Sequence, residues 1–198
     1  TNIILADTTD DIAGYATPFP NNTILLNQTP PLLSIPYEDW LLLELTHEYT
    51  HILQLDAVHG IPKALRYIFG RLYFPNTLQP AFLTEGIATY EETLHSRGGR
   101  GRATFSKMIL RTSLLENRFP SIDQAAGGRV CWPGGQTQYL YGAAFHDYLA
   151  ERYGPEVFGK LSLGYSGQVF PYLVNRNARA VLGESYPKLW EEWKNDLK

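Results

Sequence analysis

Residues 36 to 60 narrow the possible folds of this chain more than any other stretch, because a helical apolar period there carries two histidines one turn apart. Leu41, Leu45 and Ile52 form one stripe, and Leu42, Tyr49 and Leu53 form its neighbour. The segment therefore reads as a helix that is apolar round most of its girth and buried. Pro36 suits a first turn, Glu38 and Asp39 face the positive end of the helix dipole, and Gly60 and Pro62 close the segment. Within it lies His47-Glu48-Tyr49-Thr50-His51. Four residues turn a helix through roughly 400°, which puts both imidazoles on nearly one face. The two rings can then reach one ion at about 2.0–2.1 Å, the usual Zn–N distance. Glu48 lies about 100° round the helix, beside such an ion, where a base can hold water without taking a coordination site. The plainer alternative is a pair of core histidines bonded to carbonyls, with Glu48 at the surface.

A zinc hydrolase also needs a third protein ligand and an open fourth position. The pattern H-E-x-x-H-x-x-G-x-x-H would supply a third histidine, but its last two fixed positions hold Gln54 and Ala57. His59 stands at a spacing that matches no familiar ligand geometry. Glu85 sits in Phe82-Leu83-Thr84-Glu85-Gly86-Ile87-Ala88-Thr89-Tyr90-Glu91-Glu92, on a second helix reached by a loop long enough to bring it back antiparallel. His47, His51 and Glu85 are thus the expected metal ligands, Zn2+ the expected cofactor and Glu48 the expected base.

The whole chain, 198 residues, fits one domain, with a β-rich lobe over about 1–33 and a helical lobe over about 34–198. Ile3-Ile4-Leu5 reads as a strand, Asp7 to Asp11 as a turn, and residues 14–26 as an edge strand or hairpin, because Pro18 and Pro20 disfavour a central position. Helices are expected at 62–73, 80–94, 103–117, 136–153, 155–163, 170–182 and 186–197. Strands first and helices after predict an α+β fold with a small N-terminal mixed sheet. Ser96 to Arg102, basic and glycine-rich, reads as a solvated loop. Trp190 and Trp193 read as core, and Trp132 as a candidate cleft wall. A net charge of −3 argues against a nucleic-acid partner, and the apolar runs are too short to span a bilayer. Cys131, the single cysteine, excludes an internal disulfide and multi-cysteine zinc sites. Asn21 and Asn27 each open an N-x-T sequon. The chain starts on Thr1 rather than Met, which suggests a domain cut from a longer, exported (periplasmic, envelope-associated or extracellular) protein.

The segment from Leu83 to Glu92 resembles the N-E-G-F-A-x-Y-x-E segment of M1-type aminopeptidases and related gluzincins. That resemblance implies Glu85 as third zinc ligand and sets Glu92 on the second glutamate, either supporting a ligand histidine or in a solvent-exposed ion pair. Gln138 to Phe145 resembles the Y-x-K-G-A segment whose tyrosine donates to the developing oxyanion. This implies Tyr139, with Tyr141 in place of the lysine and still a competitor; His146 reads as a surface residue. The likeness covers roughly residues 36 to 153 and is to the HExxH-plus-glutamate superfamily. The gap from His51 to Glu85 is longer than in thermolysin and the aminopeptidases, and a G-x-M-E-N counterpart is missing, so aminopeptidase activity does not carry over. The resemblance implies a thermolysin-like zincin catalytic domain that hydrolyses peptide bonds by Glu-assisted attack of zinc-activated water. Its substrate would be a peptide or protein, lying along the edge strand, and further domains of the parent protein would be partners. A non-catalytic binding or scaffolding module that retains zinc is the alternative, and a zinc hydrolase of some other bond a third reading.

Overall fold

The computed structural model describes residues 1–7, 14–29, 39–127 and 130–198. Strands β1 (Asn2–Ala6), β2 (Tyr15–Thr17) and β3 (Thr23–Asn27) form a mixed sheet in the order β1-β3-β2. β3 runs parallel to β1 and antiparallel to β2. The small mixed sheet is as expected, and β2 and β3 form the expected hairpin; among the described residues β2 lies at the sheet edge, whereas β3 is central. Pro18 and Pro20 follow β2 and leave the β3 ladder intact, which is why they exclude nothing there. Ile24 and Leu26 point from β3 to one face and are buried with Ile52. Asn27 is buried on the same strand, whereas Asn21 is exposed. The expected turn at Asp7 to Asp11 and the helix-entry residues Pro36 and Glu38 fall largely outside the described residues.

Helix α1 (Trp40–Leu55) is capped by Asp39, whose carboxylate accepts from the Leu42 N–H at 3.0 Å. Its buried residues are Leu43, Glu44, His47, Glu48, His51, Ile52 and Gln54. The expectation of an apolar, buried girth needs correction: Leu42, Tyr49 and Leu53 are 48%, 46% and 61% exposed. The covered face of α1 is its polar one, because the packed surface of the next helix to meet it carries the groups that pair with its histidines.

Among the described residues eight further α-helices follow: α2 (Gly60–Phe69), α3 (Ala81–His95), α4 (Thr104–Leu115), α5 (Ile122–Ala125), α6 (Thr137–Tyr153), α7 (Val157–Ser166), α8 (Val174–Leu182) and α9 (Tyr186–Asp196). α5 was not anticipated. α8 starts four residues later than expected, since Tyr172 is left-handed (φ 70°) and its N–H goes to the Tyr165 hydroxyl at 3.1 Å. The fold is thus α+β and mostly helical. Among the described residues no helix is long and apolar enough to cross a membrane.

α3 lies between α1 and α6. Behind it, Phe82, Phe145, Trp190 and Trp193 build an aromatic core, with the Phe145 and Trp190 rings 5.1 Å apart. Both C-terminal tryptophans are therefore core, as expected. α3 and α6 meet at two glycines. A Cβ on Gly86 would stand 2.7 Å from the Gly142 carbonyl carbon, and one on Gly142 would stand 2.7 Å from the Phe82 oxygen. Backbone fills the space that any side chain would need. Gly142→Ala should accordingly cost about 1–3 kcal/mol by overpacking and lower the melting temperature by several degrees. An unchanged thermal melt would show that the helices can separate freely.

Candidate metal centre

α1 and α3 face each other with polar residues at matching heights. His47 and His51 extend from α1, and Glu85 from the middle of α3's first turns. Their donor atoms converge: His47 Nε2 to His51 Nε2 is 3.2 Å, and Glu85 Oε2 is 3.3 Å from each nitrogen. Four tetrahedral donors at about 2.0–2.1 Å from one ion stand roughly 3.3 Å from each other. The triangle therefore has the edge lengths of three tetrahedral ligands, and this His/His/Glu group could hold a metal ion. Its open side faces a cleft of about 270 Å³ bordered by Gly14, Ala16, Glu48, Thr84 and Tyr139.

Behind the triangle sits Glu92, two turns beyond Glu85 on α3 and fully buried. Both of its oxygens are doubly engaged. Oε2 accepts from His47 Nδ1 at 2.9 Å and Arg100 Nη2 at 2.6 Å; Oε1 accepts from Arg100 Nε at 2.9 Å and the Arg100 N–H at 3.0 Å. A carboxylate offers about four acceptor sites, so Glu92 is saturated. With the His47 Nδ1 proton directed to Glu92, Nε2 is the nitrogen that faces the triangle.

The electrostatics follow from burial and these pairings. Burial works against the Glu92 charge, but the Arg100 cation and the hydrogen bonds of Arg100 and His47 hold its carboxyl down at about 2. Burial likewise opposes ionised Glu85, yet hydrogen bonds from His47 and His51 hold it far below the usual carboxylate range. Burial and Arg100 disfavour a charged His47, while bonds to Glu85 and Glu92 outweigh them and raise it to about 9. Burial pushes His51 down. Glu48 is raised to about 7, chiefly by burial, with nearby Glu44 and Glu85 adding to the effect. Glu44, one turn before Glu48, accepts from the Gly14 N–H at 2.8 Å and ties the start of β2 to α1.

Tyr139 lines the cleft, its ring centroid 6.2 Å from that of His47; burial raises its hydroxyl pKa. Tyr141, its competitor, is 1% exposed and packs edge-on against Phe119 in the core, away from the cleft. Glu92 is no surface ion pair. His59 is an exposed residue at the start of α2. Trp132 is 59% exposed and does not border the cleft, so it forms no cleft wall.

Arg100 was missed, and the reading of residues 96–102 as a solvated loop is corrected. Gly98 and Gly99 are buried, and Gly99 (φ 93°) packs so closely on Thr93 that a Cβ would stand 2.8 Å from its Cα. The loop thereby turns Arg100 inward while Arg97 and Arg102 stay exposed. The sequence signal was a lone arginine between glycines after an acidic helix, too weak to separate from an ordinary basic loop.

No protein-family model matches the chain, and no solved structure matches it. A protein of Treponema pallidum (strain Nichols), described as uncharacterized, is 31% identical over 163 residues, covering 81% of this chain and 14% of the relative. The chain thus spans a small part of that relative's length.

His146, expected at the surface, is buried: its Nδ1 lies 2.8 Å from the Gly142 carbonyl and its ring 5.1 Å from that of Phe158. An imidazole satisfied by its own helix can be buried without another partner. Burial lowers its pKa from 6.5 to about 4. The unfolded chain therefore takes up a proton below about pH 6.5 that the folded chain refuses. This contribution, about 3 kcal/mol, is present in full above pH 6.5 and is lost as the pH falls to about 4. His146→Asn, which keeps a donor for the Gly142 carbonyl, should flatten the loss between pH 7 and pH 4.5 in urea unfolding. An identical pH slope in the variant would rule His146 out as its source.

Proposed function

We propose that this chain is a zinc-dependent peptidase of gluzincin type with a thermolysin-like catalytic domain, in which His47, His51 and Glu85 hold the ion. The observation that carries this reading is the near-equilateral triangle of donor atoms, 3.2–3.3 Å on a side, open to a cleft that contains Glu48. When bound, zinc supplies a Lewis acid that polarises the substrate carbonyl and makes water more acidic.

The chain's own residues do the rest. Glu92 fixes the His47 ring so that Nε2 faces the ion. Glu48, held near neutrality in its proton affinity, takes a proton from the attacking water and gives it to the leaving nitrogen. The Tyr139 hydroxyl donates to the carbonyl oxygen as negative charge grows on it. β2 is a sheet edge whose first residues border the cleft, so a substrate peptide can add there as a further strand, antiparallel or parallel to Tyr15–Thr17.

Glu48→Gln should abolish cleavage of a mixed peptide library, read by mass spectrometry, while leaving stoichiometric zinc in place. Tyr139→Phe should lower kcat by about 10²–10³ with zinc affinity retained. Cleavage that survives Glu48→Gln would sink the mechanism. Zinc binding with no cleavage by the wild type would point to a binding module, and turnover of esters alone to a hydrolase of another bond.

A further inference from the structure

Arg100 lies outside the motifs that suggested the site, in the loop between α3 and α4, yet its side chain is 16% exposed and reaches the centre of the constellation. Along one edge, Nε and Nη2 form a two-pronged contact with the two oxygens of Glu92 at 2.9 and 2.6 Å. The same guanidinium lies over the Tyr139 ring, with its central carbon 4.5 Å from the ring centroid. One guanidinium thus touches both the carboxylate behind His47 and the tyrosine that lines the cleft.

We propose that Arg100 is a positioning residue that locks Glu92 under His47 and Tyr139 beside the cleft as a single unit, fixing the spacing between the metal ligands and the oxyanion donor. The inference rests on the zinc peptidase reading. Three features carry it. The Arg100 N–H adds a third contact to Glu92, so the carboxylate cannot rotate without losing bonds at both oxygens. Tyr139 sits on α6 and His47 on α1, helices that are separated by α3, and Arg100 links the two groups directly. A guanidinium can offer two prongs to a carboxylate while its cation lies over a ring; an ammonium, a compact point charge, cannot reproduce the two-pronged contact.

The test compares wild type with Arg100→Lys and, as a neutral planar second variant, Arg100→Gln. Each is checked for folding by circular dichroism, for zinc Kd by competition with a chelator, and for kcat and KM on a peptide that the wild type cleaves. Each substitution is also made in the Tyr139→Phe background. In folded variants the zinc Kd should rise about tenfold or more. Loss of Tyr139 alignment should lower kcat roughly tenfold, with KM within about twofold, and the loss should largely vanish in the Tyr139→Phe background. A residue that merely anchors the loop would lower thermal stability and leave these readings alone. Zinc Kd and kcat both within about twofold of wild type would overturn the proposal, as would a kcat loss that multiplies in full with Tyr139→Phe, or failure of both variants to fold. Wild type that binds zinc and cleaves peptide while the variants match it defeats the Arg100 role alone; wild type that binds no zinc defeats the peptidase reading and this role together.

Discussion

Gly86 and Gly142 face each other where α3 crosses α6, and with no side chain on either, the two backbones touch. Gly86 directly follows Glu85, and Gly142 stands three residues after Tyr139. The separation of the two helix backbones that carry a candidate ligand and the candidate oxyanion donor is therefore set by main chain against main chain, the least adjustable contact available to two helices. The aromatic core formed by Phe82, Phe145 and Trp190 presses α6 onto α3 from behind, so the close approach is held by burial as well as permitted by the missing side chains. On its opposite side α3 meets α1, and the same helix delivers Glu85 and Glu92 to one face because seven residues make nearly two turns.

A buried carboxylate such as Glu92 destabilises a fold unless its charge and all its acceptor sites are satisfied. Here four donors from His47 and Arg100 do so, and removing either partner would leave a buried charge short of contacts. That requirement explains the inverted character of α1. Hydrophobic patterning alone would turn Leu42, Tyr49 and Leu53 inward, with about 1.5–3 kcal/mol available for burying each large apolar side chain. Instead the face with His47, Glu48 and His51 is covered, together with Leu43 and Ile52, and Leu42, Tyr49 and Leu53 remain partly in water. Breaches of the binary pattern of this kind are expected where a site, rather than a core, dictates which face is turned in.

The same logic decides what the sequence could reveal. His47, Glu48 and His51 were legible because helical period alone puts them on neighbouring faces of one turn, and Glu92 was legible as a same-face companion of Glu85. Tyr139 and Tyr141 could not be separated: they lie two residues apart on α6, and the face turned to the cleft is chosen by the contact of Gly142 with Gly86, which is tertiary. Arg100 was hidden because the direction of a glycine loop depends on a φ of 93° at Gly99, and composition does not encode that angle. His146 read as a surface residue because histidine is usually at least partly exposed, whereas its ring is satisfied within its own helix. The sheet order was illegible too, since the prolines near β2 say where an edge lies but not which strand takes the centre.

Glu44 and Glu48 show how one residue type can take two roles one turn apart. Both are buried on the inner face of α1. Glu44 meets the Gly14 N–H, and the backbone there is so close that a Cβ on Gly14 would stand 2.9 Å from the carboxylate oxygen. Its task is structural: it holds the start of β2 against the cleft. Among the described residues no hydrogen bond engages the Glu48 carboxylate, whose proton affinity is raised by burial and by neighbouring negative charge. In the proposed mechanism Glu48, whose carboxylate is unanchored beside the open cleft, is the one that serves as base. The division of labour follows from where a single backbone N–H stands. The anchored glutamate brings the strand edge to the cleft, and under the proposed function the unanchored one is left available to water where a peptide laid along that edge would pass.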